Sequence, residues 1–110
     1  MLQVWNLTVR MKDFGKESDR KLMNLLASRL AMKFSDSLPG RGNAQPEFTH
    51  DGNGTIRSGL FRAELRSELP EWWNDGFFPK QREFEILAMT PGSSSRIHWG
   101  LKGCVVRELH

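Results

Sequence analysis

Near the amino terminus Trp5, Leu7, Val9 and Met11 alternate with Asn6, Thr8, Arg10 and Lys12. Alternation of period two marks a strand with one buried face, and predicts a first strand here. From Ser18 the period changes. Leu22, Met23, Leu26, Ala27, Leu30 and Phe34 recur at three and four residues, so they line one stripe of a helix. Ser18 is the expected N-cap. Glu17 and Asp19 fall where the helix dipole favours anions, Lys33 falls where it favours cations, and Leu38-Pro39-Gly40 ends the element. Leu25 and Met32 lie on a narrower second side of this helix, where they would touch either a partner subunit or a loop of their own domain.

Residues 39 to 57 show no clear period and are dense in turn formers. Two readings compete. The stretch is either a flexible loop, or Glu47 to His50 and Thr55 to Arg57 pair as a short hairpin around Asp51-Gly52-Asn53-Gly54, where glycine supplies positive φ angles. The following segment, residues 58 to 69, is ambiguous. Phe61, Ala63, Leu65 and Leu69 would share a strand face, while Phe61, Leu65 and Leu69 also make a helical stripe. Its Ala, Glu, Leu and Arg are strong helix formers, Thr55 or Ser58 can cap it, and Pro70 stops it, so propensity favours a helix. Further on, Phe84, Ile86 and Ala88 alternate with Glu83, Glu85 and Leu87, and Ile97, Trp99 and Leu101 with Arg96, His98 and Lys102. With Pro91-Gly92-Ser93-Ser94-Ser95 between them, these predict an antiparallel hairpin ending near Arg107.

The expected fold class is therefore α+β: an antiparallel sheet with one or two helices packed on one face, of which a ferredoxin-like arrangement is one form. A length of 110 residues suits a single domain, and 38% hydrophobic with 26% charged residues suits a chain that buries a core. No apolar run is long enough to cross a bilayer, and the first residues lack a signal peptide's order of basic, apolar and small positions. The one cysteine, Cys104, allows no internal disulfide and lies in an apolar stretch that makes it a poor nucleophile. A cytoplasmic location is the expectation, with no membrane contact.

The net charge of +3 is unevenly spread: residues 1 to 34 carry seven Lys or Arg against three Asp or Glu, and residues 58 to 79 carry two against four. Such asymmetry suits a polyanionic partner. Catalytic chemistry finds less support. The three His and one Cys have no metal-ligand spacing, and Asp51, Asn53 and Thr55 alternate like part of a calcium loop whose other ligands are missing, so neither metal nor cofactor is expected. Metal-free RNA cleavage, as by a ribonuclease toxin, would use His50, Glu47 and His98 with Arg41, Arg57 and Arg96 around the phosphate.

Binding is better supported. From Gly54 to Ser67 small residues lead into an expected helix start whose free N–H groups and dipole favour anions, and Arg57, Arg62 and Arg66 follow at helical spacing, a pattern suited to phosphate. Residues 51 to 69 resemble the glycine loop and basic helix of the repeat-associated (RAMP) RNA-binding proteins of CRISPR effector complexes. That resemblance implies a ferredoxin-like core and RNA as the ligand. The leading expectation is thus a small non-catalytic protein that binds a nucleic-acid backbone, RNA ahead of DNA, within a larger assembly, through Arg41, Arg57, Arg62, Arg66, Arg10 and Lys12. The alternative is a protein-binding inhibitor or assembly subunit, docking through Trp72, Trp73, Phe77 and Phe78, whose aromatic cluster has the acidic neighbours Glu68, Glu71 and Asp75.

Overall fold

The structure, a computed structural model, describes residues 3–15, 17–37, 46–68, 82–93, 95–102 and 105–109. In chain order the elements are β1 (Gln3–Met11), α1 (Glu17–Ser37), β2 (Phe48–His50), β3 (Thr55–Ser58), β4 (Phe61–Ala63), β5 (Glu83–Met89), β6 (Arg96–Lys102) and β7 (Val105–Leu109). The strands form one antiparallel sheet in the order β2-β3-β1-β5-β6-β7, and β4 pairs with β1 beyond the end of β3. Because β3 lies antiparallel between them, β1 and β2 run parallel, so β1-α1-β2 is a split β-α-β unit. The α+β expectation holds, with one helix among the described residues. No helix there is long and apolar enough to cross a membrane.

The two alternations and the helical stripe converge on a single core. Trp5, Leu7, Val9 and Met11 of β1 meet Met23, Leu26, Ala27, Leu30 and Phe34 of α1, with Phe84, Ile86 and Ala88 of β5 and Ile97, Trp99 and Leu101 of β6 beside them, all buried. Leu22 packs on the edge of this cluster. The helix starts one residue earlier than the sequence suggests and ends at Ser37, directly before the expected Leu38-Pro39-Gly40 stop. Ser18 therefore lies inside the first turn instead of capping it, and Lys33 sits about a turn before the end. The bond that ties the helix start to the preceding turn comes from Asp19, whose Oδ2 accepts from the Gly15 N–H at 2.5 Å, a reach-back like that of a capping box.

The segment from 58 onwards corrects the helix expected there. Phe61–Ala63 is a strand, residues 64–68 are irregular, and the remainder of the segment lies outside the described residues. Helix propensity differs among ordinary residues by less than about 1 kcal/mol each. Against it stands the outer half of β1, whose backbone from Gln3 to Trp5 pairs with β4. Burial of Phe61 adds roughly 2–3 kcal/mol, and its ring meets Phe34 of the helix at 5.4 Å. The Trp5 indole N–H also donates to Ala63 O at 3.1 Å. Pairing and burial outweigh propensity, so the period-two reading is realised for Phe61 and Ala63, while Leu65 packs against the core from the irregular stretch that follows.

Between the two halves of this edge sits a β-bulge. Thr8 opposes Arg57, yet Trp5 opposes Phe61: two residues of β1, Asn6 and Leu7, face three of the partner, Ser58 to Leu60. The Leu7 N–H finds the Ser58 hydroxyl at 2.8 Å, and the Gly59 N–H turns outward to Glu47 O at 3.0 Å.

The hairpin reading of residues 47 to 57 also holds, while 39–45 lie outside the described residues. Asp51 closes the turn, its Oδ1 accepting from the N–H groups of Asn53 at 2.7 Å and Thr55 at 3.2 Å, bonds that hold its carboxyl below the ordinary aspartate range. Gly54 adopts a φ of +88°, and a Cβ there would stand 2.5 Å from Cβ of Phe14. The β5–β6 hairpin forms as expected, its turn closed by the Thr90 hydroxyl, which accepts from Ser95 N–H at 2.8 Å. Its second strand ends at Lys102, short of the expected Arg107, and Val105–Leu109 forms a further strand, β7, which pairs with β6. Cys104 lies outside the described residues.

Arg82 joins three elements. Its Nη1 donates to Asp19 Oδ1 at 2.6 Å, and its Nη2 to the carbonyls of Lys12 and Asp13 at 2.8 and 2.7 Å. Asp13 itself takes a positive φ of 55°, which aspartate tolerates better than most residues. The Gly15 N–H and then the Arg82 guanidinium lower the Asp19 pKa, against a smaller opposing effect of burial.

Two predictions follow from these contacts. Gly54→Ala combines a disfavoured φ with a clash against Phe14 and should cost about 3 kcal/mol in urea unfolding, whereas Gly59→Ala, with open space and an ordinary φ, should stay within about 0.5 kcal/mol of wild type. A depressed folded-state pKa at Asp19 contributes stability that is present at neutral pH and lost as pH falls through it. Asp19→Asn should therefore melt lower than wild type at pH 7, and the gap should narrow below roughly pH 4. A gap independent of pH would contradict the assignment.

Candidate nucleic-acid interface

With α1 on one face, the register assigns the alternate residues of every strand to the other. Across this open face Thr49, Arg57, Thr8, Leu87 and His98 form one row, and Thr55, Arg10, Glu85 and Gly100 the next. Asn6, Met89 and Arg96 make a third row, and Arg62 stands beside Val4 further along β1. At the opposite end Glu83 pairs with Lys102 in the ladder. Its carboxylate receives the Lys12 ammonium at 3.2 Å and the Lys102 ammonium at 4.0 Å.

The bulge decides part of this arrangement. Arg57 and Arg62 are five residues apart, an odd spacing that in a regular strand would send them to opposite faces. The extra residue at Ser58–Leu60 restores the phase, so both occupy the open face while Ile56 and Phe61, also five apart, both stay in the core.

Arg10, Arg57, Arg62 and Arg96 are all exposed. Arg10, Arg57 and Arg62, singled out in sequence as phosphate contacts, are thus brought onto one surface. Lys12 belongs to its margin, with its charge engaged by Glu83. Arg66 does not join them: it lies in the irregular stretch after β4, 4.0 Å from the Glu64 carboxylate. Arg41, Trp72, Trp73, Phe77 and Phe78 lie outside the described residues.

Sequence reasoning placed Arg96 only in a cleavage scheme and overlooked Leu87, Met89 and Lys102 as members of this face. The signal was present, since residues alternating with the buried Phe84, Ile86 and Ala88 must face away from the core.

His50 and His98 are not brought together. His50 opposes the core residue Ile56 on the helix side of β2, and His98 opposes Leu87 on the open side of β6. Four strand spacings, about 19 Å, and the thickness of the sheet separate them, so they do not act as an acid–base pair on one phosphate. The hollow beside His50, lined also by Phe14, Arg20, Met23 and Thr55, has a volume of ≈ 10 Å³, space for about one water. The Asp51, Asn53 and Thr55 alternation is a turn in which the carboxylate serves backbone N–H groups, and no cluster of three or more His, Cys, Asp or Glu able to hold a metal occurs among the described residues. On the outer side of α1, Leu25 and Met32 are 56% and 50% exposed.

In comparisons with protein-family models, with curated proteins and with solved structures, nothing matches this chain.

Proposed function

We propose that the domain is a non-catalytic nucleic-acid-binding protein that takes a phosphate backbone on the open face of its sheet. The observation that carries this reading is the register, which assigns Arg10, Arg57, Arg62 and Arg96 to one surface that carries no helix among the described residues; Glu83 and Glu85 share it, and Glu108 of β7 opposes its Gly100. Guanidinium groups are permanently charged and present planar forks of donors that match phosphate oxygens. A face of this kind binds through release of counterions from the polyanion, largely without regard to sequence. RNA is put ahead of DNA by the likeness of the glycine loop within residues 51 to 69 alone, since the basic helix of that resemblance is here strand β4 and an irregular stretch, and a binding module of this size is suited to work inside a larger assembly.

The test is fluorescence anisotropy with a short labelled RNA at a series of salt concentrations. Wild type should bind saturably at low salt and lose affinity steeply as salt rises. Arg10→Ala combined with Arg57→Ala should lower the logarithmic salt slope by about 1.4, the two phosphates' share at about 0.7 each for a single strand. Lys21→Ala, on the exposed side of α1, and His50→Ala, on the helix side of β2, should bind as wild type does. Absence of saturable binding at low salt would refute the reading.

A further inference from the structure

The cations of the open face surround a patch that is not charged. Leu87 and Met89, two residues apart on β5, both face away from the helix and are half-buried, as is Val4 on β1. Neutral Asn6 and Thr8 lie next to them on β1. Arg57 flanks this patch from β3, Arg62 from β4, Arg10 from the next row and Arg96 from β6. Arg57 and Arg96 are three strand spacings apart, roughly 14 Å across the sheet.

A surface with an apolar centre and a cationic border fits a polymer that offers flat apolar faces and phosphates at the same time. A duplex does not, because its bases are stacked inside and only phosphates and groove edges reach a flat protein surface. A single strand does, since unpaired bases can lie against side chains while the backbone runs to the border.

We propose that the ligand class of this face is single-stranded nucleic acid, with bases resting on Leu87 and Met89 and phosphates held by Arg57, Arg62 and Arg96. This rests on the nucleic-acid reading above and adds to it a contact with the bases. His98, beside Leu87 in the same row, extends the base-facing surface with a planar ring.

The experiment compares four polymers of matched charge on the wild-type protein: single-stranded RNA, single-stranded DNA, an RNA duplex and inorganic polyphosphate, which has charge without bases. Competition against a labelled single-stranded RNA should rank both single strands at least about tenfold ahead of duplex and polyphosphate. Leu87→Ser combined with Met89→Ser should weaken single-strand binding by about tenfold, leave the salt slope as in wild type, and leave polyphosphate binding unchanged. Duplex or polyphosphate competing as well as the single strands would overturn the base contact while leaving backbone binding in place. Failure of every polymer to bind at low salt would bring down both readings. The polymer ranking uses wild-type protein alone, so it decides the matter even where the double variant unfolds.

Discussion

Pairing along both edges of β1 is the interaction on which the other elements depend. On one side it carries β5 over six consecutive residue pairs, and on the other β3 and β4 in turn. β2 and β6 join the sheet through these neighbours, so an error in the register of β1 would propagate across the sheet. Its inward residues Trp5, Leu7, Val9 and Met11 are at most 3% exposed and form the floor beneath α1. A strand buried on one face tolerates no slip of a single residue, because every side chain would change sides at once. The staple from Arg82 to Asp19 and to the Lys12 and Asp13 carbonyls secures the point where β1 gives way to the helix.

One helix can cover only one face of such a sheet. Among the described residues the same constraint that builds the core therefore leaves the second face without a helix, with alternate residues of β1, β3, β4, β5 and β6 gathered there. Their mixture of arginine, threonine and half-buried aliphatic side chains is what gives this face its chemistry. The concentration of cations on the open side follows from register, since Arg10, Arg57, Arg62 and Arg96 come from four different strands.

Much of this was legible in the sequence where a single period ran unbroken. The alternation of Trp5 to Met11, the stripe from Leu22 to Phe34 and the paired alternations of Phe84–Ala88 and Ile97–Leu101 each became the element expected, because local pattern and tertiary burial agreed. The Asp51–Gly54 turn was likewise readable from its chemistry. Residues 58 to 63 were not, for a definite reason: the alternation of Ile56 is out of phase with that of Phe61 and Ala63, and a sequence read with one period finds no strand across the break. The Ala, Glu, Leu and Arg residues beyond the break favour a helix by propensity. The candidate site shared this fate in part. Arg10, Arg57 and Arg62 were identified as cations, but their common surface depends on pairings between distant segments, which no local pattern contains.

The bulge at Ser58–Leu60 makes the number of residues in this edge matter more than their identity. Gly59 has open space around it and Leu60 is 63% exposed, so neither side chain is required by its surroundings. What the position supplies is a count. Losing one residue there would turn β4 over like a mis-set tooth in a zip, delivering Arg62 to the core and Phe61 and Ala63 to water, although every residue of the strand itself were kept. For a lineage carrying this fold, the positions of Gly59 and Leu60 would drift freely in composition and stay fixed in number, while Ser58 would be kept for the hydroxyl that meets the Leu7 N–H.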